Sequence, residues 1–292
     1  MHPAGADTEV EMQKRVAAIH DISCFGKCSL TVALPILSAA GIETSVIPTA
    51  VLSTHTGGFT GFTYRDLTED ILPIVSHWQS LNLHFDSIYT GFLGSFEQIE
   101  IVCETFRRLK DKDTLILVDP VMADNGELYK VFRPDFPAGM RKVCALADVI
   151  APNMTEAALL LGLPYEEGPY TESYIGKLLK GLSSLGPKKI VLTGVHFDHE
   201  RLGAAAYDSS TDTVSYAFAG RIAGSYHGTG DVFASALLSG LLNDLDIRQA
   251  AQLAVDFTVG SIARTRAAGT DVRFGVNFEA GIPMLLERLH LK

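Results

Sequence analysis

The segment Gly224-Ser225-Tyr226-His227-Gly228-Thr229-Gly230-Asp231 is followed directly by Val232-Phe233-Ala234-Ser235-Ala236-Leu237-Leu238-Ser239-Gly240. Gly228 and Gly230 allow a ligand to approach the backbone closely, and they permit dihedral angles that are closed to other residues. Thr229 or Asp231 can cap the helix that begins here, and the free N–H groups of its first turn favour an anion. A carboxylate beside a bound phosphate lies where a base would deprotonate an attacking hydroxyl. The segment therefore predicts a phosphoryl-transfer site at a helix N-terminus.

Short apolar runs alternate with longer helical ones along the rest of the chain. The strand-like runs cover residues 16–20, 44–48, 87–90, 115–118, 148–151 and 189–193, and the helical runs cover residues 29–40, 67–80, 96–109, 232–242, 247–266 and 279–289. Strands that are apolar throughout indicate a parallel sheet covered on both faces. Residues 204–207 and 214–218, joined by a polar turn, predict an antiparallel hairpin at a sheet edge.

This pattern predicts one doubly wound α/β domain over residues 15–292. Its central sheet is expected to be mostly parallel, with helices on both faces and an antiparallel edge hairpin. Residues 1–14 are polar and lack the apolar core of a signal peptide, so we expect them to form a flexible leader. The edge hairpin is a candidate surface for a homodimer.

Composition narrows the class of protein. The chain has 292 residues, of which 47% are hydrophobic and 20% charged, and its formal net charge is −10. An acidic chain lacks the basic footprint of a nucleic-acid binder, and no apolar run is long enough to span a membrane. The four cysteines are too few for a disulfide framework, so free thiols in a reducing compartment are expected. These features predict a cytoplasmic enzyme.

Polar or glycine-rich clusters follow each predicted strand. They cover residues 20–23, 53–58, 90–95, 119–126, 152–156 and 193–194, with the glycine turn at 228–231 as the last. In open α/β sheets the ligand lies beyond the carboxyl ends of the strands. We therefore expect these clusters to converge on one edge of the sheet.

Several clusters also have a purely structural interpretation. Asn153 and Glu156 have the spacing of a capping box, and Asp119 with the proline after it can simply end a strand. His20 and His55 are more often hydrogen-bonded structural groups than ligands. Three other motifs are incomplete: a zinc site at Cys24 and Cys28, a phosphate-binding P-loop at residues 26–28, and a dinucleotide fingerprint, which lacks its third glycine.

Taken together, these residues resemble the ribokinase-like superfamily, and within it the vitamin B6 (pyridoxal, pyridoxine and pyridoxamine) kinases. The resemblance extends from about residue 16 to residue 289. It rests on residues 25–26, 53–56, 90–95, 119–122, 151–156 and 228–231. It implies ATP-dependent phosphorylation of the 5′-hydroxymethyl group of a B6 vitamer, in the salvage of vitamin B6. It also implies Mg²⁺ with ATP as cofactor, and potassium as a further candidate.

The resemblance assigns the catalytic roles to the glycine turn. Asp231 would be the base that takes the proton of the hydroxymethyl group. Gly228, Thr229 and Gly230 would form the anion hole for the transferring phosphate, and Thr229 would also contact the nucleotide.

The remaining implied roles concern the nucleotide and its cation. Asn153 and Glu156 would organise Mg²⁺, directly or through water, and Asp119 and Asp124 would face the nucleotide phosphates and their cation. Asp119 and Glu156 are thus the candidate metal ligands, and Thr193 would lie along the nucleotide groove.

On the substrate side, the resemblance implies that Thr56 contacts the pyridine ring and that Phe92 forms an apolar wall. Many B6 kinases have Ser in place of Asp21 and Tyr in place of Phe92. Asp21 can accept a hydrogen bond from the ring hydroxyl or pair with a protonated ring nitrogen, so this departure concerns the preferred vitamer.

Three other functions remain to be weighed. Hydroxymethylpyrimidine kinases of thiamin synthesis share the fold, but their anion-hole motif usually ends in Cys where this chain has Asp231. A non-catalytic ligand-binding relative would not need that carboxylate. An NAD(P)-dependent enzyme is excluded by the missing glycine fingerprint.

Overall fold

A computed structural model describes residues 13–291 of the chain. Its strands are β1 (Arg15–Ser23), β2 (Glu43–Leu52), β3 (Tyr64–Asp66), β4 (Ser87–Thr90), β5 (Leu115–Val118), β6 (Ala123–Asp124), β7 (Glu127–Leu128), β8 (Val149–Ile150), β9 (Lys189–Val195), β10 (Arg201–Asp208) and β11 (Thr213–Gly220). Its α-helices are α1 (Leu30–Ala39), α2 (Thr68–Ser80), α3 (Phe96–Leu109), α4 (Phe136–Ala145), α5 (Met154–Leu161), α6 (Glu172–Ser183), α7 (Thr229–Leu242), α8 (Ile247–Ala268) and α9 (Ile282–Arg288). Short 3₁₀ turns cover Val272–Phe274 and Glu279–Gly281.

A nine-stranded sheet forms the centre of the molecule, in the order β11-β10-β9-β8-β5-β4-β1-β2-β3. The inner strands from β9 to β2 run parallel. The hairpin of β10 and β11 is antiparallel at one edge, as predicted, and β3 adds an antiparallel strand at the other. From β1 the chain passes to β2 on one side and then to β4 on the other. Such a reversal is the point at which open α/β sheets bind their ligands.

Each face of the sheet is covered by its own apolar core. One core includes Val75 of α2, Ile99 of α3 and Leu178 of α6, packed against strand residues such as Ile19. The other core includes residues of α1, α7, α8 and α9, packed against strand residues such as Val16. Neighbouring strand residues therefore enter opposite cores, which explains why these strands are apolar at every position. The doubly wound architecture predicted from the sequence is confirmed.

The differences from prediction include short strands, a nearly buried helix, and the 12-residue helix α6, whose buried and exposed positions alternate with a helical period that the prediction overlooked. Helices α4, α5 and α6 were not predicted. Nearly all of α5 is buried, so it lacks the polar face that marks an amphipathic helix. The two-residue strands β6 and β7 are too short to show a period. Helix α1 begins at Leu30, so Ser29 precedes the helix and does not belong to it.

Other predictions concern the chain terminus, the cysteines and membrane spans. Residues 1–12 of the predicted leader lie outside the described residues, whereas the Gln13 side chain donates to the Gly41 carbonyl over 3.1 Å. All four cysteines are free thiols. Over the described residues, the model contains no helix with the length and apolarity to cross a membrane.

The antiparallel edge provides a test of the sheet. A Cβ added at Gly203 of β10 would overlap the Ala217 carbonyl oxygen of β11. We expect Gly203→Ala to lower the free energy of unfolding by roughly 1–3 kcal/mol, the usual cost of overpacking. Gly220→Ala, in the same hairpin, is the matched control because no atom lies within 4 Å of its added Cβ. Urea unfolding of both variants measures the difference, and equal stabilities would contradict the packing described.

Candidate active site

The glycine turn before α7 is fixed by a close contact with another loop. Gly228 has a φ of 75° and is the N-cap residue of α7, and a Cβ on it would overlap the Lys27 carbonyl oxygen. No side chain caps the helix, so the prediction that Thr229 or Asp231 caps it is wrong. The Thr229 hydroxyl instead donates backwards to the Tyr226 carbonyl over 3.1 Å. The positive end of the α7 dipole is therefore left for an anion.

Asp231 lies in the first turn of α7, directly behind the glycine turn. The pKa of its carboxyl is raised to about 7, mainly by burial and to a smaller extent by the charge of the nearby Asp21. The Cys28 thiol lies close by, and its pKa is also raised, mainly by burial and then by Asp231 and Asp21. Asp231 itself is half-buried. Such a group is suited to exchange protons near neutral pH.

Asp119 brings a second carboxylate to this point from the end of β5. It is 6% exposed, and its Oδ2 would lie 3.7 Å from a Cβ at Gly230. Burial raises its pKa well above the ordinary value, and the charges of Glu156 and Asp231 add to the effect. Asp119, Glu156 and Asp231 thus form an acidic cluster beneath the glycine turn. The convergence predicted from the sequence is present for these residues.

Asn153 and Glu156 form the capping box that their spacing allows. Asn153 Oδ1 accepts from the Glu156 amide over 2.9 Å, and Glu156 Oε2 accepts from the Asn153 amide over 2.8 Å. The same two side chains also hold the turn after Asp119. Glu156 Oε1 accepts from the Met122 amide over 3.1 Å, and Asn153 Nδ2 donates to the Ala123 carbonyl over 2.8 Å. Burial raises the pKa of Glu156 to about 8 despite these hydrogen bonds.

The two remaining residues predicted on the nucleotide side border this cluster. Thr193 forms a parallel bridge with Asn153, and its amide donates to the Pro152 carbonyl over 2.9 Å. Asp124 is exposed at the end of β6, and its charge contributes to raising the pKa of Glu156.

On the other side of the glycine turn, the loop of residues 53–63 carries Thr56, which is exposed. Its neighbour His55 is buried, and both ring nitrogens have partners. Nδ1 accepts from the Gly57 amide over 3.1 Å, so Nε2 is the nitrogen that donates to the Arg273 carbonyl over 2.6 Å. The ring centroid of His227, in the glycine turn, lies 5.2 Å from that of His55. The loop is thus tied to the glycine turn and to residues near the C-terminus.

The two remaining substrate-side residues lie at different depths. Asp21 is 5% exposed and accepts hydrogen bonds from Ser29 Oγ over 2.6 Å and from Ser23 Oγ over 3.2 Å. Phe92 is half-buried, with its ring centroid 5.4 Å from that of Phe132. Asp21 lies close enough to Asp231 for its charge to raise the pKa of that carboxyl, whereas Phe92 packs against Phe132.

A family model described as phosphomethylpyrimidine kinase matches residues 35–275. The chain belongs to the phosphomethylpyrimidine kinase family. Together with the relatives described next, this match confirms the ribokinase-like fold and the B6 kinase family predicted from the sequence.

Solved structures and curated relatives agree with this family. A Bacteroides thetaiotaomicron protein, provisionally named a phosphomethylpyrimidine kinase and crystallised with pyridoxal, is 36% identical with a TM-score of 0.89, covering 94% of this chain and 96% of its own. The pyridoxal kinase of Lactobacillus plantarum is 32% identical with a TM-score of 0.85, covering 94% and 97%. The pyridoxal kinase PdxY of Histophilus somni is 30% identical over 222 residues, which are 70% of this chain and 72% of that protein.

Three residues of this kinase-family site were not predicted from the sequence. Tyr64 of β3 is 47% exposed, and its hydroxyl lies near Gly94. The pKa of this hydroxyl is raised mainly by burial, then by the charge of Asp66 and then by that of Asp21. Ser29 adopts a φ of 53° and a ψ of −128°, and no sequence pattern predicts this conformation. Such strain costs on the order of 1–3 kcal/mol and tends to occur at functional sites. His227 belongs to the glycine turn, but the sequence provided no reason to assign it a function; in the structure its ring lies beside that of His55.

His20 departs from its expected structural role. It is fully buried beside the Tyr89 ring, at a centroid distance of 4.4 Å, and burial lowers its pKa to about 3. Within residues 13–291 neither ring nitrogen has a hydrogen-bond partner. His55, in contrast, is hydrogen-bonded as expected.

The raised pKa of Asp231 has a consequence for stability. In the folded protein the pKa is about 7, against an ordinary value of 3.8. Between these values the folded state holds a proton that the unfolded chain has released, so stability is lost as pH rises through this window. We expect the free energy of unfolding of the wild type to fall, relative to that of Asp231→Asn, between about pH 4 and 7. Urea unfolding at several pH values measures it, and a constant difference would contradict the burial of this charge.

Proposed function

We propose that the protein transfers the γ-phosphoryl group of ATP to the 5′-hydroxymethyl group of a B6 vitamer. The observation that carries the proposal is the position of Asp231, a half-buried carboxylate directly behind a glycine turn at a helix N-terminus without a side-chain cap. The pyridoxal kinases at 30% identity or more support the substrate class.

Asp231 would act as the general base. As the hydroxymethyl oxygen attacks the γ-phosphorus atom, its proton passes to the Asp231 carboxylate and the bond from phosphorus to the ADP oxygen breaks. A base with a pKa near neutrality combines a useful ionised fraction with an adequate proton affinity. The N–H groups of Gly228, Thr229 and Gly230 would hold the charge of the transferring group, which is the main demand of phosphoryl transfer.

The acidic cluster fits Mg²⁺ brought with ATP. Asp119 is a buried carboxylate whose neighbours Glu156 and Asp231 raise its pKa, and a cation would relieve that repulsion. Within residues 13–291 there is no group of three or more acidic, histidine or cysteine side chains that could by itself hold a metal. This suits Mg²⁺, which is usually held by one or two carboxylates together with water and phosphate oxygens. When bound, the ion would neutralise charge on the phosphates.

The residues around this centre would divide between the two substrates. Asp124, Asn153, Glu156 and Thr193 border the acidic cluster and would face the nucleotide with Thr229. The loop carrying Thr56, together with Asp21 and Phe92, would receive the vitamer. A homodimer, a cytoplasmic location and a potassium requirement stay predictions.

A second candidate is phosphorylation of a hydroxymethylpyrimidine, since the matching family model carries that description. It would use the same anion hole and cation, but hydroxymethylpyrimidine kinases usually have Cys at the position of Asp231, which favours the first candidate. The two functions differ in the ring that the loop of residues 53–63 must accept, and kcat/KM values measured separately for the two substrates distinguish them.

The test is ATP consumption measured with pyridoxal, pyridoxine, pyridoxamine and hydroxymethylpyrimidine in parallel. We expect turnover with at least one vitamer and a lower kcat/KM with the pyrimidine. Asp231→Asn should lower turnover by roughly 10²–10⁴-fold, the usual contribution of general base catalysis, with MgATP binding retained. Turnover by this variant near the wild-type rate would remove Asp231 from the mechanism, and a preference for the pyrimidine would favour the second candidate.

Glu156→Gln tests the two roles of that side chain. A glutamine retains only one acceptor oxygen, so one of the bonds to the Met122 and Asn153 amides should be lost. We expect a loss of stability of about 1–3 kcal/mol and a rise in the Mg²⁺ concentration that gives half the maximal rate. Urea unfolding and an Mg²⁺ titration measure these effects. Lost stability with unchanged Mg²⁺ dependence would show that Glu156 acts only through the capping box and the Met122 turn.

A further inference from the structure

Lys27 lies in the loop after β1, and its main chain packs against two glycines. A Cβ on Gly228 would overlap the Lys27 carbonyl oxygen, and a Cβ on Gly275 would lie 2.6 Å from that oxygen and 2.9 Å from the Lys27 nitrogen. The Lys27 amide donates to the Phe274 carbonyl over 3.0 Å. The loop is thus packed between the glycine turn before α7 and the segment around Phe274.

The Lys27 side chain attaches the loop to the same segment a second time. Its Nζ donates to Asn277 Oδ1 over 2.9 Å and to Glu279 Oε2 over 3.1 Å, and it lies 5.9 Å from the centroid of the Phe278 ring. The bond to Asn277 is partly buried, whereas the Glu279 side chain is 54% exposed. Because an exposed ion pair contributes little to stability, Asn277 is the partner that restrains the lysine.

Asn277 is itself held in one orientation by its neighbours. Its Nδ2 donates to Thr270 Oγ1 over 2.9 Å, and its backbone amide donates to Thr265 Oγ1 over 2.7 Å. Arg264 Nε donates to its carbonyl oxygen over 2.9 Å. A lysine ammonium can only donate, so it requires the side-chain oxygen of Asn277 and leaves the nitrogen to Thr270. The Lys27 side chain is therefore bonded to a residue that is fixed on α8 and on the segment after it.

The two ends of Lys27 thus contact different parts of the molecule. The ammonium is bonded to Asn277 and Glu279, whereas the carbonyl oxygen lies against Gly228, the N-cap residue of α7. The side chain therefore acts on the glycine turn through the main chain of its own residue. A main-chain contact of this kind transmits position, because a packed interior has no room for one part to move without the other.

We propose that Lys27 is a positioning residue, whose side chain, held by Asn277, keeps the loop after β1 packed against Gly228 and so aligns the N–H groups of the glycine turn with the transferring phosphate. The inference rests on the proposed function, in which these groups form the anion hole. Donors that are misaligned for the transition state lower kcat, whereas a lost ground-state contact raises a KM.

Two single variants test the connection. Lys27→Met keeps an unbranched side chain beside Phe278 but removes the ammonium, and Asn277→Leu removes its acceptor. We expect each to lower kcat with pyridoxal roughly 10-fold, with the KM values for pyridoxal and ATP within about 3-fold of wild type. Lys110→Met is the matched control, because the Lys110 side chain is 35% exposed, against 28% for Lys27, and bonds to Asp148 over 2.8 Å at the start of β8. Its kcat should stay within about 3-fold of wild type.

The double variant separates positioning from a direct effect of the lysine charge. If the two side chains act through one contact, adding Asn277→Leu to Lys27→Met should lower kcat by less than about 3-fold more. Losses that multiply in full would overturn the proposal. So would a loss in Lys27→Met that is absent from Asn277→Leu, since the ammonium would then act on the phosphates by its charge.

Hydrogen exchange followed by mass spectrometry tests the same contact without relying on turnover. The amide of residue 27 donates to the Phe274 carbonyl, and the Val232 amide donates to the Gly228 carbonyl over 3.0 Å in the first turn of α7. Both bonds protect their amides, so we expect peptides that contain them to exchange at least about 5-fold faster in Lys27→Met and in Asn277→Leu. Unchanged exchange in both peptides would contradict the proposal.

The two measurements together distinguish failure of this inference from failure of the proposed function. If the wild type phosphorylates no B6 vitamer, the proposed function fails and the alignment role fails with it. If the wild type is active and exchange rises in the variants while their kcat stays within about 3-fold, the function stands and the inference fails. Exchange in the hairpin of β10 and β11 verifies that each variant folds, and Lys27→Met carries the test if Asn277→Leu does not fold, since the lysine is partly exposed.

Discussion

The carbonyl oxygen of Lys27 is the contact on which the site depends. It lies against the α-carbon of Gly228 so closely that any side chain there would overlap it, and a Cβ at Gly275 would come within 2.6 Å of it. The loop after β1 is thereby packed between the glycine turn of α7 and the segment that follows Val272–Phe274. Because three distant parts of the chain meet at one backbone atom, the Asp231 carboxylate, the glycine turn before α7 and Ser29 are positioned together.

A second constraint is electrostatic. Asp119, Glu156 and Asp231 are carboxylates gathered in a poorly solvated region, and their pKa values are raised by burial. Placing them there costs stability, since proteins bury charge readily only when it is paired. A cation and the electropositive end of a helix both favour such a cluster, and a nucleotide with Mg²⁺ adds further donors and counter-charge. The acidic cluster is therefore better explained as part of a ligand-binding site than as a feature that stabilises the fold.

The sequence was informative where the chemistry depends on residue type and strand order. Apolar runs identified the parallel strands, and the rule that ligands lie beyond their carboxyl ends brought Asp119, Asn153 and Asp231 to one edge. It was less informative where geometry depends on contacts between distant segments. Nothing in the residues around Gly228 indicates that the helix lacks a side-chain cap. Likewise, Ser29 combines a positive φ with a hydrogen bond to Asp21, and the sequence pattern contains no information on either.

Asn153 and Glu156 show why the structural and functional interpretations of a motif need not exclude each other. The capping box is present, so the structural interpretation of this motif is confirmed. The same side chains, however, also bond to Met122 and Ala123, in the turn that follows Asp119. A cap alone would need no bond to that turn. By joining the start of α5 to the residues after β5, the pair fixes the loop that carries Asp119, whose carboxylate faces Gly230. Local helix capping and the geometry of the acidic cluster are thus maintained by the same hydrogen bonds, so a substitution that breaks the cap also disturbs the candidate metal ligand.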